Sequence, residues 1–101
     1  MPRARFLNVT FKFSGAPDEA KLKSKFDLAI DWIRYSPEGW LIWSNSSRKK
    51  WTERLKGAVR KGDDFFIVEV NIARRGGVMP RAFWQFIRSH QLEDTPSKPL
   101  T

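Results

Sequence analysis

The sequence contains no cysteine. That excludes a disulfide framework, a thiolate metal site and a cysteine nucleophile. It has one histidine, His90, so any catalytic triad would have to be built there, and no activated nucleophile is evident beside it. His90 sits at the edge of the C-terminal tail, where an exposed and idle side chain is expected. No apolar run approaches the roughly 20 residues that a membrane-spanning helix needs. The opening Met1-Pro2-Arg3-Ala4-Arg5 lacks the apolar stretch of a secretion signal. The expectation is a cytoplasmic chain with no membrane contact. Acids are also scarce, with 11 Asp and Glu against 19 Lys and Arg, a formal net charge of +8.

What is present in excess is aromatic and cationic. In 101 residues there are five Trp and eight Phe. A chain of this length forms one domain around a single two-layer core, and so many rings point to a second apolar surface besides that core. The cations are unevenly placed. Between Ser47 and Lys61 stand Arg48, Lys49, Lys50, Arg54, Lys56, Arg60 and Lys61 against the single acid Glu53, so seven minus one, or +6 of the total +8, falls in this stretch. A polyanion is the natural partner of such a segment, and nucleic acid is the commonest one in a cytoplasm.

The hydrophobic pattern gives an order of elements. "RFLNVTFKF" alternates Leu7, Val9, Phe11 and Phe13 against Phe6, Asn8, Thr10 and Lys12, a half-buried strand. "SGAPD" ends it, with Pro17 suited to the first position of a helix. Leu22, Phe26, Ala29, Ile30 and Ile33 then recur at helical spacing, with Asp18 and Glu19 complementing the helix dipole. Two short strands, Trp32–Ser36 and Trp40–Ser44, flank a Pro-Glu-Gly turn. A second helix follows a cap at Ser46 or Ser47, with Trp51, Leu55, Ala58 and Val59 as its apolar stripe. "KGDD" is a turn and "FFIVEVNI" a last strand with Phe66, Val68, Val70 and Ile72 on one face. "ARRGG" is a flexible loop, and Pro80 opens a short terminal helix. Residues 1–90 are the expected domain and 91–101 a loose tail, with no internal repeat and no linker.

The order βαββαβ plus a helix is that of a ferredoxin-like α+β sandwich. In this register the two crossover helices cover Leu7, Val9, Phe11, Phe66, Val68 and Val70. The opposite face shows Phe6, Thr10, Leu41, Trp43, Phe65 and Ile67, too apolar to face water. Either the last helix covers it with Phe83, Phe86 and Ile87, or a second subunit does. The preferred expectation is a homodimer, with Phe6, Leu41, Trp43, Phe65 and Ile67 at its interface. Trp43 is also the candidate for stacking on bases; Trp40 points to the other side of the same strand.

The first strand and turn, "DLAIDWIRYSPEGWLIWSNSS", "ERLKGAVRKGDDFFIVEVN" and "MPRAFWQFI" resemble the small bacterial proteins called SinR-like. These are related in fold to the smaller of the two CRISPR spacer-adaptation proteins, an endoribonuclease. The similarity spans about residues 5–88. It implies a ferredoxin-like fold, dimerisation through sheet edges or faces, and contact with nucleic acid. By analogy it also implies a role in phage defence, toxin–antitoxin control or mobile-element biology. The better-known relatives carry an acidic residue near the end of the first strand, and paired across a dimer two of these can hold a divalent metal for phosphodiester cleavage. In the matching stretch Thr10-Phe11-Lys12-Phe13, Lys12 stands in that place. An ammonium group repels a hard cation, so the resemblance gives a binding protein without this nuclease chemistry; Lys12 would favour a phosphate instead.

Other constellations are weaker. Asp63-Asp64 reads as a polar turn rather than a metal pair. Glu69 and Asn71 fall on the second sheet face as polar interface groups. Arg74-Arg75 before Gly76-Gly77 could cradle phosphate in a backbone nest, or form a plain loop. The leading expectation is a non-catalytic, sequence-tolerant nucleic-acid-binding homodimer with no cofactor and no metal. It would grip phosphate through Arg48, Lys49, Lys50, Arg54, Lys56, Arg60 and Lys61, with Lys12, Arg74 and Arg75 in support. The alternatives are a subunit of a larger protein complex docking through its apolar sheet face, and a divalent-metal-dependent nuclease using Asp63, Asp64 or Glu69.

Overall fold

A computed structural model describes residues 3–94, with side chains as far as His90. The elements are β1 (Arg5–Lys12), α1 (Glu19–Phe26), β2 (Asp31–Ser36), β3 (Gly39–Ser44), α2 (Arg48–Lys56), β4 (Asp64–Val70) and α3 (Arg81–Asp94). The strands form one antiparallel sheet in the order β2-β3-β1-β4. The fold is α+β, with helices on both faces of the sheet. No helix among the described residues is long and apolar enough to cross a membrane.

Strand alternation divides the apolar residues between two clusters. Leu7, Val9 and Phe11 of β1, with Trp40 and Ile42 of β3, meet Leu22 and Phe26 of α1 and Trp51 and Leu55 of α2. Phe6, Leu41 and Trp43 turn the other way and are buried under Phe86 and Ile87 of α3. α3 is thus one of the two covers expected for that face, and it reaches further than the sequence suggested. The helix continues through residues 91–94 instead of giving way to tail at 91; the rest of the expected tail, 95–101, lies outside the described residues.

α1 begins two residues later than the proline suggests. Asp18 is the N-cap, its carboxylate accepting from the Lys21 amide at 3.0 Å, and Pro17 stands outside. It also ends sooner than the apolar spacing implies. Beyond Phe26 the Ile30 amide donates to the Trp43 carbonyl, so the chain has already joined the sheet edge. Ile30 is therefore half exposed and Ile33 lies on β2 in the α3 cluster.

The larger correction concerns β4. Its register pairs Phe11 with Phe65, Val9 with Ile67 and Leu7 with Glu69, which turns Phe65 and Ile67 toward α1 and α2. Phe66 and Val68 face the opposite side, 60% and 43% exposed. Periodicity could not decide between the two pairs, because they differ by one methylene, about 0.8 kcal/mol of burial. What distinguishes them lies at the end of the strand. Val70 goes under α3, while the Glu69 carboxylate stays at the flank between Arg5 at 4.0 Å and Arg48 at 3.5 Å.

Candidate nucleic-acid interface

α2 is fixed from inside before its charges are considered. Ser47 is the N-cap, its hydroxyl accepting from the Lys50 amide at 3.1 Å. One turn on, the buried Trp51 indole N–H donates to the buried Ser44 Oγ at 2.9 Å. These two serines lock the start of the helix to the end of β3, and the first turn carries no acid.

The cations then fall on two flanks, because residues three or four apart share a helix face. Arg48, Thr52 and Lys56 line a groove whose other wall is Asp63, Asp64, Phe65, Phe66 and Ile67 of β4 and the preceding turn. Lys49, Lys50 and Arg54 line a second shallow depression with Ser47 and Glu53. The ten cations singled out in the sequence are thus not equivalent. Arg48 is paired with Glu69. The Arg54 guanidinium lies 4.8 Å over the Trp51 ring and donates to Ser46 Oγ at 3.1 Å. Arg60 donates to the Ala16 carbonyl at 2.6 Å, tying the turn before β4 to the turn after β1. Lys49, Lys50, Lys56, Lys61 and Lys12 are exposed, and among the described residues none of them forms a salt bridge.

Lys12 and Lys61 share one corner of the molecule. The Ser14 hydroxyl donates to the Lys61 carbonyl at 3.3 Å and to Asp63 at 2.9 Å, and the Ser14 amide donates to the same carboxylate at 2.7 Å. Gly62 permits this approach: its φ is +94°, and a Cβ there would sit 3.2 Å from the Ser14 Cβ. Arg74 and Arg75 leave from the opposite end of β4. Arg75 donates to the Ile72 carbonyl, and of the following glycines only Gly77 has positive φ.

The acids have structural work. Amide donors from Ser14 and then Arg60 hold the Asp63 carboxyl below the ordinary carboxylate range. Glu69 stands at the far end of β4 from Asp64, five residues along a strand or about 16 Å. It belongs to the α2 side, not to the second face, and Asn71 accepts from the Ala73 amide just past the strand. Among the described residues no three His, Cys, Asp or Glu side chains group as metal ligands.

The expected interface set does not form one surface. Phe6, Leu41 and Trp43 are beneath α3, and Phe65 and Ile67 are on the opposite side of the sheet. Trp43 is 1% exposed, so it offers no ring to a base. His90 is not idle. Its ring stacks on Trp43 at 5.0 Å and 16°, and its Nε2 lies 2.9 Å from Asp31 Oδ2, fastening α3 to β2. Asn8, Thr10, Tyr35 and Phe66 lie together on the sheet face that α3 leaves open; the sequence reading has Thr10 on that face, Phe66 on the opposite one, and no site at any of the four. Gly39, the first residue of β3, leaves room for the Tyr35 ring by lacking a Cβ, but in sequence it reads as the end of the Pro-Glu-Gly turn. Comparison with protein-family models, with curated proteins and with solved structures returned no match.

Proposed function

We propose that this protein is a small, basic, non-catalytic nucleic-acid-binding protein that holds a phosphate backbone against α2. The observation that carries the reading is the first turn of α2. Lys49 and Lys50 sit at the positive end of a helix, exposed and without a carboxylate partner among the described residues. Helix-start amides already attract an anion, and two ammonium groups beside them suit a phosphate far better than they suit the helix. Lys56 and Lys61 extend the positive track toward Lys12, whereas Arg54 and Arg60 spend their donors on the fold.

The fold supports the same reading. We assign the βαββαβ order, with strands β2-β3-β1-β4 all antiparallel, to the ferredoxin-like sandwich. The resemblance to SinR-like proteins, and to the adaptation endoribonuclease without its metal-binding acid at Lys12, points to binding without cleavage. α3 covers the Phe6, Leu41 and Trp43 part of the second face, so the reading does not depend on a second copy there.

The test is a salt series on nucleic-acid affinity. With about four free lysines engaging phosphates, log K against log salt should fall with a slope of about −3 to −4 on duplex DNA. The double variant Lys49→Glu, Lys50→Glu should lose most of the binding while keeping the wild-type circular dichroism spectrum. No affinity at low salt, or affinity indifferent to salt, would overturn the reading.

A further inference from the structure

α3 covers only part of its sheet face. It packs on β2 and on the end of the sheet that holds Phe6, Trp43 and Val70. Beyond it the face continues along β1 as Asn8, Thr10 and Lys12, beside Val68, Phe66 and Asp64 of β4. Two rings border that polar row. Phe66 stands opposite Thr10 and is 60% exposed. From the other side Tyr35 leans over β3, which is possible because position 39 is glycine. A Cβ there would lie 2.6–2.8 Å from the Tyr35 ring tip and hydroxyl. The Tyr35 hydroxyl reaches Asn8 Oδ1 at 2.5 Å, the Asn8 amide donates to Thr10 Oγ1 at 2.9 Å, and Phe83 of α3 braces the ring edge-on at 5.8 Å.

This is an aromatic rim around a polar centre. A protein–protein interface has the reverse anatomy, with an apolar centre and a polar rim. Rings for stacking and amide and hydroxyl groups for base edges are what unpaired nucleotides need. Charge agrees with this. Lys12 lies at one end of the row, near Lys61, and the groove lined by Arg48 and Lys56 opens from the other side of Phe66. Nucleotides on the rings would therefore have cations within reach on both sides of the β4 edge. Tyr35 projects from β2 and Phe66 from β4, three strand spacings or roughly 14 Å apart at the backbone, with the Tyr35 ring leaning inward over β3. Bases stacked on one another in a duplex cannot spread over both; an unstacked single strand can.

We propose that this open half of the sheet binds unpaired nucleotides of single-stranded RNA or DNA, with bases on Phe66 and Tyr35 and base edges facing Asn8 and Thr10. The proposal rests on the nucleic-acid reading above and names its substrate class. The experiment is fluorescence anisotropy of the full chain at low salt with labelled oligouridine, oligothymidine and a short DNA duplex. Phe66→Ala should weaken one or both single strands roughly five- to hundredfold and weaken the duplex, held by the α2 cations, far less. Gly39→Ala, which displaces the Tyr35 ring, should act in the same direction, with a thermal melt reporting that each variant is folded. Which single strand binds more tightly separates RNA from DNA. Unchanged single-strand affinity in folded Phe66→Ala would overturn the proposal. So would a shift of that variant from dimer to monomer in sedimentation without a change in binding, because the face would then belong to a second copy. If wild-type protein binds no strand and no duplex, the underlying nucleic-acid reading fails as well.

Discussion

The substitution Lys50→Glu separates what the first turn of α2 does for the fold from what it does for a ligand. Lys50 is the third residue of the helix after its cap, and its amide is already held by the Ser47 hydroxyl. A glutamate there completes a capping box, reaching back to the Ser47 amide. It also replaces an unfavourable charge with a favourable one. Each charge in a first turn is worth about 0.3–1 kcal/mol, and the exposed setting puts both the removal and the gain near the low end. With the added hydrogen bond the variant should be more stable by about 1 kcal/mol. In a domain of this size that raises the melting temperature by about 4–8 °C. The assay is thermal unfolding followed by tryptophan fluorescence, once at low salt and once at high salt. The gain should shrink at high salt as the charge component is screened, while nucleic-acid affinity falls. A variant that melts at or below the wild-type temperature in low salt would refute the account of this helix end. Arg48 is the wrong residue for the test, because it is paired with Glu69.

Two further predictions concern the scaffold that holds the cations. The Ser44 hydroxyl is the acceptor for the buried Trp51 indole, so Ser44→Ala leaves that N–H without its acceptor. It should cost about 1–3 kcal/mol in urea denaturation, and an unchanged midpoint would contradict the contact. Asp63→Asn should destabilise by weakening the bridge between the turn after β1 and the turn before β4. Because the folded carboxyl titrates below its unfolded value, its stabilising effect is fully present above about pH 4 and is lost as pH falls through the lower folded value. Wild type and variant should therefore differ at neutral pH and converge in acid; a difference constant across that window would argue against the charge-assisted bonds.

Local chemistry and the faces of β1 and β3 were legible from sequence; the face of β4 was not. Trp51 and Leu55 at helical spacing, a serine cap at 46 or 47 (Ser47 in the structure) and the strand–turn–strand around Pro37 each depend on neighbours a few residues away, and the structure has them where the pattern put them. The sidedness of β4 depends on partners over fifty residues distant, and Phe65, Phe66, Ile67 and Val68 are apolar on both sides. His90 gave no local signal, since its role exists only once α3 lies across Trp43. Equally hidden was the division of the cations into anchors and free charges. Arg54 and Arg60 look in sequence like Lys56 and Lys61, and only the ring of Trp51 and the carbonyl of Ala16 set them apart.

The two helices packed in the same cluster make a comparison within one molecule. α1 has an acid at its cap, an acid in its first turn and lysines in its last. α2 has cations at both ends and no acid in its first turn. A general excess of positive charge would act on both helices alike, so it does not account for the difference. Stability does not account for it either, because a single change at Lys50 should improve it. The penalty for Lys49 and Lys50 together is about 1 kcal/mol, small against the roughly 5–15 kcal/mol that holds a domain folded. A phosphate placed over this turn would reverse the sign of that interaction, turning a cost of the free protein into part of the affinity for its ligand.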